Sequence, residues 1–211
     1  MQMQIKEQLL EGCRRLVGKG FLNCPADSFS LRIPGETEMI LVSGSQDWRR
    51  IEIADLRVVP FSAKDDVGML HGRVYRERSD VGAIAISSPK WVRTLAHCCG
   101  GLPPIFDEQV RHLGSCLPLS APGEAFRHGA NTALLGEQLI CLGMTCDRVL
   151  FNSELYEKCA QAYVIAKACN NRISGIPFWV RLIATRRLLK DEGIASASYR
   201  NGRIPDGLNA Y

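Results

Sequence analysis

The chain has 211 residues and a mass of 23.4 kDa, and its 46% hydrophobic and 23% charged residues exclude a disordered or fibrous protein and suit one substantial core. A net charge of +4 is spread along the chain, and the basic runs "WRRIE" and "RLIATRRLLK" carry no interleaved aromatics, so no nucleic-acid partner is expected. No apolar run approaches the roughly 18 to 20 residues of a membrane span, and "MQMQIKEQLLEGCRRL" carries charge where a signal-peptide core would be, so a cytoplasmic protein with no membrane partner is expected.

Taken in chain order, Ile5, Leu9, Leu10, Cys13, Leu16 and Val17 recur at helical spacing, and Gly18 and Gly20 end the helix over 4–19. "SFSLRI" alternates polar and apolar, "PGETE" turns, and "MILVSG" is a short apolar run, which together predict a β-hairpin. "DLRVVPF" is a further strand. Residues 66–78 place Val67, Leu70, Val74 and Tyr75 on one face of a helix capped by Asp65 or Asp66. "VGAIAIS" is too short for a helix and continuous in apolar residues, so it reads as a central strand buried on both faces.

A helix over "KWVRTLAHC" follows Pro89, then a short helix over "DEQVRHLG", a strand at "CLPLS" and a helical segment at "EAFRHGAN". "TALLGEQLICLG" predicts strand, tight turn and strand. "NSELYEKCAQAYVIAKACN" predicts a long helix capped at Asn152 or Ser153, with Leu155, Cys159, Ala162, Tyr163, Ala166 and Ala168 toward the core. Another helix is expected from Ile176 to Leu189, and 190–211 as loop or partly ordered tail. With no linker or repeat in view, 1–211 reads as a single α/β domain, three-layer α/β/α around a mixed sheet.

Nine cysteines without a CxxC pair argue against a disulfide framework or a zinc knuckle. The adjacent Cys98 and Cys99 of "AHCCGG" would project about 100° apart on a helix and read as small packed residues. Neither a GxGxxG nor a GxxxxGK[ST] motif supports nucleotide binding.

The order of "SFSLR", "ILVSG", "LHGRVYRERSDVGAI", "LPP", "ALLGEQLICLG" and "ELYEKCAQAYVIAKA" resembles the class II aldolase/adducin family over about residues 4–170. In that family "GNxSxR", "PSG", an acid before "LHxxxY…PDVxAVVHTHSP", "LPP", "LLxNHGxxxxG" and "LExxAxxxxxA" follow one another. The resemblance implies a central mixed, mainly antiparallel sheet. It also implies a divalent ion, usually zinc, held by three histidines and acting as a Lewis acid in aldolase or epimerase chemistry. Ring-like homotetramers acting on carbohydrate-like compounds are implied as well.

At the matching positions the chain has Ile86 and Ser88, or Ala85 and Ser87 in the neighbouring register, and Gln138. None is a histidine, and the acidic position falls on Val67 beside Asp66. An aliphatic group, a hydroxyl and an amide make a poor zinc site, so no cofactor is expected, with zinc returning only if a site is rebuilt, for instance from His128 and Cys141. Ser28, Ser30, Ser43, Gly44, Asp65, Ser88 and Gln138 remain candidate ligand-binding residues, and Arg32 matches the arginine of "SxR". Asp65 and Asp66 stand where the family binds phosphate, and each close pair of like charges costs roughly 1 kcal/mol even in water. A neutral or cationic ligand is favoured over a phosphorylated one.

Asp66 is first a capping residue and second a candidate acid/base. His71 reads as a packed, hydrogen-bonded histidine, and His97 and His112 as satisfied or surface residues. Ser87 and Ser88 lack a nearby base in any nucleophile motif, and Cys141 is a reactive thiol only if it opens on the cleft near a cation. Two functions follow as expectations: a metal-free small-molecule-binding or oligomer-forming module on this fold, or a divergent aldolase, epimerase or decarboxylase-type lyase working through Asp66, Gln138 or His71.

Overall fold

The computed structural model describes residues 1–45, 47–118, 126–170 and 172–206. Seven strands form one sheet in the order β3-β2-β1-β4-β7-β6-β5: β1 (Ser28–Arg32), β2 (Glu38–Ser43), β3 (Arg57–Pro60), β4 (Ala83–Ser87), β5 (Cys116–Pro118), β6 (Thr132–Leu135) and β7 (Gln138–Gly143). All neighbours pair antiparallel except β5 with β6, so the sheet is mixed and mainly antiparallel. The hairpin of β1 and β2 and that of β6 and β7 stand where the alternating patterns place them.

β4 lies between β1 and β7 and is buried at all five positions, because helices cover both of its faces. On one face α1 (Gln2–Gly18), α3 (Lys90–Cys99) and α4 (Cys146–Ala168) bury Leu9, Leu16, Leu95, Val149 and Tyr156 against Phe29, Leu31, Ala83, Ala85 and Cys141. The opposite face packs α2 (Asp66–Glu77), through Val74 and Tyr75, on Met39, Leu41, Ile84, Ile86 and Ile140. The period-2 alternation of β4 therefore sends Ile84 and Ile86 toward α2, and Ala83 and Ala85 toward the α1–α3–α4 layer.

Asp65 caps α2 by accepting the Gly68 N–H at 3.0 Å. Glu157 of α4 accepts the N–H groups of Trp91 and Val92 at 2.8 and 3.0 Å, satisfying the start of α3, which follows a proline and has no side-chain cap of its own.

Four expectations are corrected. The long helix α4 begins at Cys146, capped by Thr145 through the Arg148 N–H, so Asn152 and Ser153 are buried mid-helix. Its second half runs into solvent, leaving Ala162 and Ala168 exposed. Within "EAFRHGAN" the described residues form a turn, since Gly129 has φ +75° and Ala130 bridges to Gly114; Glu124 and Ala125 lie outside the described residues, as do Leu119 and Ser120 of the strand at "CLPLS". Residues 190–200 are not tail: α5 (Phe178–Arg200) continues through them, while 207–211 lie outside the described residues.

The extension of α5 is held by tertiary contacts. Tyr199 donates to the Met144 carbonyl at 2.7 Å, and buried Glu192 accepts from Arg78 at 3.0 Å and from the Gly129 N–H at 2.9 Å. Arg78, wholly buried, also meets both oxygens of Asp80 at 2.8 and 2.7 Å, so one guanidinium ties α5 to the chain entering β4.

Candidate functional site

Strand register builds the floor of a cavity of about 560 Å³ beside α2. Ser28 pairs directly with Ile86 across the β1–β4 ladder, and Gln138 opens β7 on the far side of β4. Ala26, Ser28, Ile86 and Gln138 form one wall, and Asp66, Val67, Met69, Leu70 and Arg73 of α2 form the other. The helical spacing of 66, 69, 70 and 73 puts these side chains on one stripe of α2, next to the stripe that Val74 and Tyr75 bury in the core.

Behind the floor lies a buried polar chain. Ser28 Oγ is 2.8 Å from His71 Nε2, His71 Nδ1 is 2.7 Å from Ser30 Oγ, and Ser30 Oγ is 2.8 Å from the Tyr75 hydroxyl, which donates to the Ser30 carbonyl at 3.2 Å. Both ring nitrogens of His71 are thereby bonded to serine hydroxyls, each of which can donate or accept. Burial pushes His71 down to about 3, with the Asp65 charge acting in the other direction, so the ring is neutral.

Of the sequence-derived candidates, Ser28, Asp66 and Gln138 converge on the cavity together with Ile86. Ser30 is engaged in the buried chain, Ser43 accepts from Arg57 at 3.1 Å, and Gly44 turns the backbone at φ +70° after β2. Asp65 is the helix cap, and Ser88 sits half-buried between β4 and α3. Arg32 donates to the carbonyls of Val81, Tyr75 and Arg78 and stacks on Tyr75 at 5.0 Å, which makes it a brace for the α2 C-terminus.

The register alternative is resolved by the strand faces. Ile86 looks onto the cavity, whereas Ser87 is buried and its hydroxyl has no hydrogen-bond partner, and so no base to activate it, among the described residues. Pairing of His128 with Cys141 is overturned: Cys141 is buried in the α1–α3–α4 layer near the Val149 carbonyl, and His128 Nδ1 instead meets Glu192 at 2.8 Å. His112 is bonded to Arg148, and burial followed by the charges of Arg148 and Arg111 pushes it down to about 4; His97 pairs with Glu137 at the surface.

Sequence reading missed Ala26, Met69, Leu70 as a cavity residue, and Arg73. The one available signal was the i, i+3, i+4, i+7 relation of Asp66 to Met69, Leu70 and Arg73. Arg73 donates to Glu77 at 2.7 Å, so its charge is offset at the cavity edge.

The model of the family described as class II aldolase and adducin N-terminal domain matches residues 7–164. The chain belongs to this family. Among solved structures, L-fuculose 1-phosphate aldolase from Glaciozyma antarctica PI12 is similar over 94% of this chain and 89% of its own, at 16% identity and TM-score 0.73. YgbL from Klebsiella pneumoniae, titled a putative aldolase/epimerase/decarboxylase, is similar over 87% of this chain and 99% of its own, at 18% identity and TM-score 0.74. L-fuculose-1-phosphate aldolase from Thermus thermophilus is similar over 81% of this chain and 98% of its own, at 18% identity and TM-score 0.68. At such identities these likenesses speak for the fold alone. No curated protein sequence matches the chain significantly.

The class II aldolase family's zinc calls for imidazole, thiolate or carboxylate donors. In this cavity the donor set is one carboxylate, Asp66, with the amide of Gln138 and the hydroxyl of Ser28, and Ile86 supplies a hydrocarbon. The neighbouring imidazole, His71, has both nitrogens engaged by serines. These residues do not fit the ion. Elsewhere Asp80, His128 and Glu192 bring ligand-type atoms within 4.8 Å of one another, but Arg78 already holds both carboxylates and supplies the positive charge a metal would bring.

Proposed function

We propose that this class II aldolase-family chain uses the cavity between α2 and the head of β4 to bind a small molecule without a divalent metal, and that it has given up metal-dependent aldolase chemistry. The observation that carries the reading is the wall itself. Ile86 and Gln138 line an open cavity at the positions matched to metal-binding histidines, and His71 is locked behind the floor. Trp91 packs with the α1–α3–α4 layer and does not plug the cleft.

Metal analysis by mass spectrometry of protein purified without chelator is expected to find far less than one zinc, manganese or cobalt per chain. Adding these ions is expected to give no cleavage of a panel of sugar phosphates. Stoichiometric metal, or metal-dependent turnover lost in Gln138→Ala or Asp66→Ala, overturns the reading.

One observation supports a second reading, a lyase or epimerase of the aldolase, epimerase or decarboxylase type acting on a carbohydrate or hydroxy-keto compound. The cavity is open and Asp66 stands in its wall, within reach of a bound molecule as acid or base. Metal-independent turnover abolished by Asp66→Asn would favour it.

Self-association is part of the proposal. The first half of α5 exposes Phe178, Trp179, Leu182 and Ile183 in a contiguous apolar row, with Arg186, Arg187 and Lys190 beside it and Asp107 and Glu108 across an adjoining groove. A face carrying apolar area and both signs of charge suits a second copy of the same chain.

A further inference from the structure

Three oxygen acceptors stand in the wall of the α2–β4 cavity, on Asp66, Ser28 and Gln138. Ser28 Oγ is bonded to His71 Nε2 at 2.8 Å and keeps at least one lone pair as an acceptor. One amide N–H of Gln138 donates to the Ala26 carbonyl at 3.2 Å, which leaves the amide oxygen as an acceptor beside a second N–H. Asp66 adds a carboxylate, and the guanidinium of Arg73 is drawn to Glu77 at 2.7 Å. Around these acceptors stand Ala26, Val67, Met69, Leu70 and Ile86, an apolar lining that satisfies no hydroxyls of a sugar.

Resting on the metal-free reading above, we infer that the ligand is a small organic ammonium: a protonated amine, directed at Asp66, Ser28 Oγ and Gln138 Oε1, on an apolar body that fills the space against Leu70, Met69 and Ile86. An ammonium has three donors and no acceptor, and it carries the charge that Asp66 complements. A phosphate or carboxylate meets the Asp66 charge, while the cation in the same wall, Arg73, is already paired with Glu77. At the start of α2, where an anion could meet N–H groups, the Asp65 carboxylate already accepts the Gly68 N–H.

The test uses a set matched in carbon skeleton, 4-phenylbutylamine, 4-phenylbutanol and 4-phenylbutyrate, with a ketose 1-phosphate as fourth probe, by calorimetric titration on the full chain. The amine is expected to bind most tightly, the alcohol more weakly, and the acid and sugar phosphate not measurably. Asp66→Asn should weaken the amine by roughly five- to tenfold and the alcohol by less than about twofold. Leu70→Trp, which fills the cavity, should abolish both while the circular dichroism stays native.

Binding of the acid or sugar phosphate as tight as that of the amine, an amine affinity untouched by Asp66→Asn, or no binding by any of the four, each overturns the inference. Failure of the underlying reading looks different: the sugar phosphate then binds only when zinc is added. Equal binding of amine, alcohol and acid, lost in Leu70→Trp, keeps the metal-free cavity and overturns the ammonium alone.

Discussion

Burial holds His71 neutral in the folded protein, with its proton affinity pushed down to about 3, while the unfolded chain takes up a proton near the ordinary value of 6.5. Between these two values the unfolded state binds more protons, so stability is lost as pH falls below about 6.5, at about 1.4 kcal/mol per unit. By pH 5 the loss from this residue comes to about 2 kcal/mol. Of the charges near the ring, Asp65 opposes the shift; the serines and Tyr75 around it are uncharged. His112, pushed down to about 4, acts in the same direction, but it is only half-buried and its share is smaller. Urea unfolding at pH 7 and pH 5 checks this: His71→Gln is expected to lower stability at pH 7 and to lose less between the two pH values than the wild type does. An unchanged pH difference would show that His71 is not the group responsible. As a packed, bonded histidine His71 was legible in the sequence, and Asp65 was one of two candidate caps, the other being Asp66. Ile86 at the cavity was legible as one of two registers, because strand alternation gives the faces only after a partner helix is placed on one of them. Met69 and Arg73 were not legible as walls, since α2 has two useful stripes and the sequence pattern reveals only the buried one.

At the level of elements, the cavity exists because α2 stands at a fixed distance from the sheet, and Gly72 sets that distance on the side of β3. A Cβ at Gly72 would lie 2.2 Å from the Phe61 carbonyl oxygen and 2.8 Å from its carbon, so helix and loop meet backbone to backbone. Gly72→Ala is therefore expected to push α2 outward, costing about 1–3 kcal/mol as overpacking does, and to change the cavity on the adjacent stripe. The measurement is a paired one, thermal unfolding and affinity for whichever cavity probe binds the wild type. A variant with wild-type stability would mean that the loop after β3 yields freely and that Gly72 does not position α2. Elements whose identity is local were readable, as α1, α2, β4 and the two hairpins show. Those decided by distant contacts were not. "EAFRHGAN" has helical composition, yet Gly129 turns there and its N–H goes to Glu192 of α5. Residues 190–200 read in the sequence as loop or partly ordered tail, yet Glu192 and Tyr199 are drawn under cover by Arg78 and the Met144 carbonyl, and the helix continues over them. α4 starts early for a similar reason, since Gly143 lies so close to Val149 that a Cβ there would be 2.3 Å from its N–H nitrogen.

Across the whole molecule, α5 is asymmetric along its length. Its second half is fixed to the body by the Arg78–Glu192 pair and by Tyr199, whereas its first half offers Phe178, Trp179 and Ile183 to solvent at 75%, 69% and 53% exposure. An aromatic pair and a β-branched residue in one row would bury several hundred Å² between two copies, on the scale that marks association sites rather than scattered surface apolars. The same row explains why α5 has so few buried side chains for its length: Ala184, Leu188, Glu192, Ala195 and Tyr199 line one narrow stripe, and Phe178, Trp179, Leu182, Ile183 and Leu189 outside it are exposed among the described residues. Light scattering on a sizing column is expected to give a multiple of the 23.4 kDa chain mass at micromolar concentration. Trp179→Glu combined with Ile183→Glu is expected to return the mass to that of one chain without lowering the unfolding temperature by more than a few degrees, because neither side chain is in the core. A wild-type protein that runs as a single chain, or a double variant that still associates, would remove α5 as the self-association surface. Loss of the fold in the double variant would instead show that the exposed row packs within the chain. Trp179→Phe, which keeps the apolar row, is expected to preserve the wild-type mass and so separates loss of the interface from loss of one particular ring.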